Sequence, residues 1–545
     1  MDLGMDETNI PQSEPMEVSQ VQNKAGGFVW KVDDIQRLRR FLCFGSESGT
    51  YYSSPKELGL ENAKVFLKLI KEGKGKDIVK VVRDFSVDGR TAKQDSIIFA
   101  LALCARSEDT DTKAEAYKVL NEVCRIPTHL FAFVQQCEKL SKGTGWGRAH
   151  RRAVSSWYTQ FSDKPKKLAN HITKYRNRNG WTHKDLLRLS HMKTESDSLA
   201  CIFKYIVKGI EATKETYENE KYDSEDVKDV LDYLCVVEMA RISQDEQQLK
   251  GLIMSYQLVR EHIPTNMLNS KVVWSALLVN MPMTAMIRNL SKMSSIGLLE
   301  KGSEEEKIIV DCLNNEMKLR QARIHPFNVL VALFTYSKGA GERGKLKWPV
   351  NLQVTKALDT AYHLSFKFVE PTNKRYCLAV DVSGSMCSPV LGTAAITCRD
   401  ASAAMMMTTA RTETNYEVVA FSQTLKKMDI RSEMQLQQVI SEIKRFSMGG
   451  TDCAQPMLWA KKYKKEFDVF IVYTDCETWA GAVHPAEALR QYRKAMNIWD
   501  AKLIVCAMTS NGFTLADPED PGMLDMSGFD SAAPNIMSNF ILGKI

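Results

Sequence analysis

Asp381-Val382-Ser383-Gly384-Ser385 closes a short apolar segment and brings one carboxylate and two hydroxyls within five residues. That donor set suits a hard cation. Magnesium takes about six oxygen ligands at short, near-octahedral distances and keeps several waters, and hydroxyls coordinate without adding charge. Two later loops offer the same chemistry. Gly449-Gly450-Thr451-Asp452 supplies the Thr451 hydroxyl, and Val472-Tyr473-Thr474-Asp475 supplies the Asp475 carboxylate. Asp381, Ser383, Ser385, Thr451 and Asp475 are therefore the candidate ligands of a divalent metal, Mg2+ by its preferences. The simpler alternative is that Asp381 and the two serines cap a following helix. Hydrolytic use of the metal would need a positioned base or a second metal. Glu477 is the other carboxylate placed nearby, and nothing around it marks it as a base.

A second constellation is cationic. Residues 141–191 hold 12 Lys/Arg and 2 Asp/Glu, a local net charge of +10 in a chain whose total is +7, so the remainder is slightly acidic. Four of the nine histidines and three of the nine tryptophans share that window. Focused positive charge with interleaved aromatics is the footprint of a polyanion site, nucleic acid first. Lysine and arginine neutralise phosphates and release counterions, while rings and guanidinium planes stack on unpaired bases. Helical spacing puts Arg148, Arg151 and Arg152 on one face, with Val154, Trp157 and Phe161 roughly opposite. After a capping-box pattern at Thr182 and Asp185, Lys184, Arg188 and His191 share another face, with Leu186, Leu187 and Leu189 on the other side. If the connection between them begins as helix, Lys174 and Arg178 point the same way.

Two kinds of element must hold these residues. From about Gly27 to Phe366 the periodicity is helical, as in Asn62–Ile70, Ser96–Arg106 and Asp226–Met239. Loosely related helix pairs of HEAT type fit this pattern. After Glu370-Pro371-Thr372-Asn373 four short apolar runs, Tyr376–Val380, Tyr416–Phe421, Val469–Tyr473 and Leu503–Met508, alternate with candidate helices at Ala395–Glu413, Met434–Arg445, Ala454–Tyr463 and Pro485–Ala495. That alternation predicts a doubly wound parallel sheet, whose ligands sit beyond the carboxyl ends of the strands.

A chain of 545 residues exceeds one ordinary core. With 44% hydrophobic and 26% charged residues it has the composition of a folded soluble protein. No run reaches bilayer length, so no membrane association is expected. The polar, acidic start carries no secretory signal and reads as a disordered tail over residues 1–25. Thirteen cysteines without a C-x-x-C pair argue against zinc ribbons and suit reduced thiols in the cytoplasm or nucleus. A helical domain over 26–368 and an α/β domain over 369–545 follow, and the expected state is a monomer.

The residues of the α/β half resemble the von Willebrand factor A domain. Asp381, Ser383 and Ser385 match the first loop of its metal-ion-dependent adhesion site, Thr451 the second and Asp475 the third. The resemblance implies that a carboxylate from a protein partner completes the coordination. In the helical half, Cys43–Tyr52, Val123–Leu130, Trp146–Ala149, Trp181–His191 and Ala322–Phe327 resemble the TROVE module. The whole chain from about Gly27 is thus similar to the Ro ribonucleoprotein family. That likeness implies a HEAT-like ring of antiparallel helical repeats, closed and followed by the doubly wound α/β domain. It implies small non-coding Y RNAs on the basic outer surface, and single-stranded 3′ ends of misfolded RNAs in the central hole. By that match Lys174, Arg178 and His191 are RNA contacts, whereas Arg148, Arg151, Arg152, Lys184 and Arg188 rest on helical geometry. The first metal loop reads Ser-Gly-Ser where some relatives have another small residue. The N-terminal tail and Lys142–Gly145 look divergent.

The leading expectation is an RNA-binding scaffold of RNA stability and quality control, not an enzyme. The alternative is a metal-dependent protein-interaction scaffold with RNA binding secondary. A metal-dependent nuclease is disfavoured for want of clustered carboxylates. Gly339-Ala-Gly341-Glu-Arg-Gly344-Lys345 matches a P-loop pattern, but Leu346 stands where Ser or Thr must hold magnesium, and Pro349 interrupts a following helix.

Overall fold

The computed structural model describes residues 9–141, 143–341, 344–366, 369–446 and 449–545. From Asp34 to Leu364 the chain is almost entirely helical. The local reasons are ordinary ones. Ser54 opens the Pro55–Lys71 helix with a reciprocal capping box to Glu57 and a proline in the first turn. Thr182 and Asp185 do the same for His183–Ser190. The three predicted helical runs lie within Pro55–Lys71, within one residue of Asp95–Ala105, and within Glu225–Ile242.

The helical array returns on itself. The Arg323 guanidinium donates to the Val87 carbonyl at 3.0 Å, and Asn328 donates to the Ala92 carbonyl at 3.3 Å, across some 236 residues. The α/β domain sits against this junction. Arg90 pairs with Asp530, Phe327 meets Phe529 edge-on at 5.1 Å, and the fully buried Arg40 pairs with Asp525.

The α/β sheet has six strands: β1 (Tyr376–Asp381), β2 (Tyr416–Phe421), β3 (Leu425–Met428), β4 (Val469–Thr474), β5 (Lys502–Ala507) and β6 (Met523–Ser527). Their order is β6-β5-β4-β1-β2-β3, parallel except for β3, which runs antiparallel beside β2. Every residue of β1 and β4 is buried, as expected for strands covered by helices on both faces. The order reverses direction between β1 and β4, so the carboxyl ends of those two strands form the crevice of a doubly wound sheet. The four predicted strands are β1, β2, β4 and β5. Of the predicted helices, Ala395–Glu413 starts later than expected. Thr393–Thr397 pairs with Pro389–Val390 as a hairpin, and Thr397 caps the helix Cys398–Thr412.

The tail expected over residues 1–25 is not loose where it is described. Residues 1–8 lie outside the described residues, but from Asn9 onward the segment straps the α/β domain. Val21–Gln22 and Phe28–Lys31 form a hairpin, and the second strand pairs antiparallel with Phe513–Thr514. Val29 and Trp30 join the core on that side of the sheet. Gln12, Gln20 and Asn23 are buried although polar, because each finds partners: Asn23 donates to the Thr478 carbonyl at 2.7 Å, and Gln20 meets the His484 ring at 3.4 Å. Gly27 permits the approach, since a Cβ there would stand 2.0 Å from the Thr478 oxygen. Composition predicts a tail because polar residues rarely fill a core; here partners 440 to 471 residues away hold them. The boundary placed at 368/369 falls beside residues 367–368, which lie outside the described residues. Helix ends at Leu364 and sheet begins at Tyr376.

Candidate functional site

Asp381 is the last residue of β1, and Asp475 follows β4 directly, so adjacent parallel strands deliver both carboxylates to one crevice. Ser383, Ser385 and Thr451 join them, and all five predicted ligands are buried. Asp381 Oδ1 accepts from the Ser383 amide at 2.8 Å, and Oδ2 accepts from the Thr474 hydroxyl at 2.6 Å. The hydroxyls of Ser383 and Ser385 lie 3.3 Å apart. Asp475 Oδ1 accepts from the Glu477 amide at 3.2 Å. The helix-capping alternative does not describe Asp381: its carboxylate ties up its own loop, and the residues after it form only the short 3-10 turn Gly384–Cys387.

Burial and the charge of Asp475 push the Asp381 carboxyl up to about 7, and burial raises Asp475 as well. Among the described residues neither carboxylate has an ion-pair partner. Two buried carboxylates and three hydroxyls, all oxygen, form a donor set suited to a hard divalent cation. Among the described residues no three His, Cys, Asp or Glu side chains gather to hold a metal ion; in this crevice three hydroxyls complete the oxygen set. The sequence reading missed the surroundings. Glu477, pushed up to about 8 by burial and by Asp475, accepts from the Lys24 amide at 3.0 Å and from Asn511 at 3.2 Å. Asn511 also holds the Asp475 carbonyl at 2.7 Å. Glu477 is thus a buried anchor for the strap.

The cationic window folds as two helices, Arg148–Thr159 and His183–Ser190, joined by Pro165–Lys174 and a hairpin. Val154, Trp157 and Phe161 are buried as predicted, and so are Leu186 and Leu187. Leu189 is not: it is 41% exposed. Arg148, Arg152, Arg178, Arg188 and His191 are exposed, while Arg151, Lys174 and Lys184 are half-buried. Among the described residues none of these seven lysines and arginines pairs with a carboxylate, so their charge stays available. Arg178 stands in Asn177–Arg178, paired with Trp181–Thr182 through Asn179-Gly180. Both turn residues have positive φ, 56° and 80°, as a two-residue type I′ hairpin turn requires. The Asn-Gly pair was the signal in the sequence, and it contradicts a continuous helix from Lys174 to Arg178. Lys174 ends its helix with the ammonium 5.1 Å from the Tyr175 ring centroid.

The aromatic count of the window belongs mostly to the core. His183 is buried between the Tyr158 hydroxyl at 2.8 Å and the Tyr175 carbonyl at 2.9 Å. That contact knits both helices to the connection that carries Lys174. His150 packs on Phe133, Tyr117 and Trp146, and Trp157 is fully buried. Burial lowers His150 and His183 to about 3 and His171 to about 4. Among the four histidines only His191 is exposed; it ends its helix in the left-handed region at φ 54°. In the P-loop-like stretch, residues 342–343 lie outside the described residues, and Val329–Tyr336 is helix where a P-loop needs a strand.

A closed helical array carrying an exposed cationic window, clasped to an A-type α/β domain with an oxygen-rich crevice, defines a two-domain binding scaffold. Residues 21–334 match the TROVE domain, and residues 375–541 match the Ro60 vWA domain. The chain belongs to the Ro60 family. It is 38% identical to RNA-binding protein RO60 of Caenorhabditis elegans, over 98% of this chain and 92% of that one. Against RNA-binding protein RO60 of Deinococcus radiodurans the identity is 36%, over 98% of each chain. The crystal structure of the Deinococcus radiodurans RO (RSR) protein superposes with a TM-score of 0.69 at 34% identity, covering 94% of this chain and all of that one.

Proposed function

We propose that this protein binds RNA through the cationic window and acts as a ribonucleoprotein scaffold in RNA stability and quality control. Its RNA class is that of the family it belongs to: small non-coding Y RNAs, and misfolded RNAs with single-stranded 3′ ends, in the cytoplasm and also the nucleus. The function is binding, not catalysis. The observation that carries it is a +10 window whose Lys174, Arg178, Lys184, Arg188, Arg148, Arg151 and Arg152 have no acidic partner among the described residues. Gel shifts with a structured RNA bearing a 3′ tail, titrated with salt, test it. Arg178→Ala should lower affinity and reduce the magnitude of the salt slope by about one. Salt-insensitive binding by the unmodified protein would refute the reading.

The crevice of the α/β domain supports a second role beside RNA binding. Asp381, Ser383, Ser385, Thr451 and Asp475 would hold a divalent metal, Mg2+ by the donor chemistry, whose charge offsets the two buried carboxylates. When bound, the metal supplies an electrophilic coordination position for a partner's carboxylate. Manganese binding followed by electron paramagnetic resonance tests it: Asp381→Ala should abolish tight binding while RNA affinity stays unchanged. Equal manganese affinity in the two proteins would sink the assignment. That RNA binding is secondary to this role has no support.

A further inference from the structure

Beside the cationic window lies a recess of about 310 Å³ lined by Arg176 and Lys184 together with Tyr205, Ile206, Ile210 and Glu238. We propose that this recess receives one unpaired guanine of a bound RNA. The inference rests on the RNA-binding reading and adds to it a base-selective position. The volume is that of a small-ligand pocket, and the isoleucines offer an apolar plane for a base to lie against.

The chemistry selects the base. The Tyr205 hydroxyl and the Arg241 guanidinium both donate to Oε1 of Glu238. No described group donates to Oε2, and the Glu238 side chain is 33% exposed. A carboxylate oxygen accepts and cannot donate. Guanine presents two adjacent N–H donors, N1–H and N2–H, on its Watson–Crick edge. Uracil flanks its single N–H with two carbonyls, which a carboxylate repels. Adenine and cytosine set an acceptor nitrogen beside one amino group. Arg241, itself held by the Thr173 carbonyl at 2.8 Å, cancels the charge of Glu238, so the phosphates brought in by Arg176 and Lys184 meet no net repulsion.

The test uses the full chain and four labelled eleven-nucleotide RNAs: all-uridine, or uridine with one central G, A or C, followed by fluorescence anisotropy at fixed salt. The central-G oligomer should bind about tenfold more tightly than all-uridine, within the discrimination a good base contact gives. Glu238→Ala, and independently Ile206→Trp, which fills the recess and leaves both residues of the ion pair unsubstituted, should bring that ratio to about one. Arg178→Ala should weaken all four oligomers equally and keep the ratio, which separates the loss of a phosphate contact from the loss of the recess. Equal binding of the four by the unmodified protein, or a ratio that survives Ile206→Trp, overturns the recess alone. Failure to bind any of them overturns the RNA-binding reading on which it rests.

Discussion

Replacing Gln12 with alanine should loosen the N-terminal strap and the loop after β4 together, and leave the sheet intact. Gln12 is fully buried. Its amide donates to Asp452 Oδ1 at 2.7 Å and to the Val483 carbonyl at 2.8 Å, and its oxygen accepts from the Thr478 hydroxyl. A buried neutral hydrogen bond contributes about 1 kcal/mol and one to a charged group about 1.5–3 kcal/mol. Some of the loss is softened. Asp452 keeps the Ala454 amide and Gln455, and Thr478 keeps the Thr451 carbonyl. A net cost of about 3 kcal/mol follows, which is roughly a hundredfold in a local opening equilibrium. Hydrogen exchange followed by mass spectrometry reads it directly: peptides from residues 9–31 and 476–483 should exchange roughly a hundredfold faster, while β1 and β4 keep their protection. Unchanged exchange in the strap would show that these bonds do not hold it. A uniform rise over the whole chain would show that the strap is not a separate cooperative unit, and the local reasoning would fail.

Arg40→Ala should open the contact between the domains. It takes the cation from the half-buried Asp525 carboxylate, which keeps Gln36, and frees the Asn511 and Phe513 carbonyls, a loss of about 3 kcal/mol, visible as faster limited proteolysis between Leu364 and Tyr376. Acid should destabilise the helical domain through its buried histidines. His150, His183 and His262 are held at about 3 by burial. The unfolded chain therefore takes up protons below about pH 6.5 that the fold refuses. The stability is fully present above that pH and is lost as pH falls toward 3, by about 1.4 kcal/mol per pH unit for each histidine. Thermal unfolding at pH 7, 6 and 5 checks this, and a midpoint that does not fall would refute it.

The parallel strands were legible because burial on both faces writes them as unbroken apolar runs. The metal loops were legible because they end those runs. β6 was not: Met523-Leu-Asp-Met-Ser527 carries a charge mid-strand, and Asp525 is tolerated because Arg40 and Gln36 reach it from the other domain. The strap was illegible for the same reason, since Gln12 and Asn23 are core residues by virtue of distant partners. The cationic faces could be read from helical spacing, but the histidines among them could not be sorted. Tyr158 and Tyr175 turn His183 inward, and nothing in a count of residue types separates it from His191. Leu189 lies off the buried stripe His183, Leu186, Leu187 and Ser190, whose members are three and four residues apart, so the helix turns it outward.

The clasp between strap and α/β domain also bears on how the chain is made. Gln12 leaves the ribosome 440 residues before Asp452 and 466 before Thr478, which at about 5–20 residues per second is roughly 20 to 90 s. For that interval Val29 and Trp30 have no sheet to cover, and the Arg40 side chain has no acid to meet. The nascent helical domain therefore waits with its start unsecured until the last strands are made.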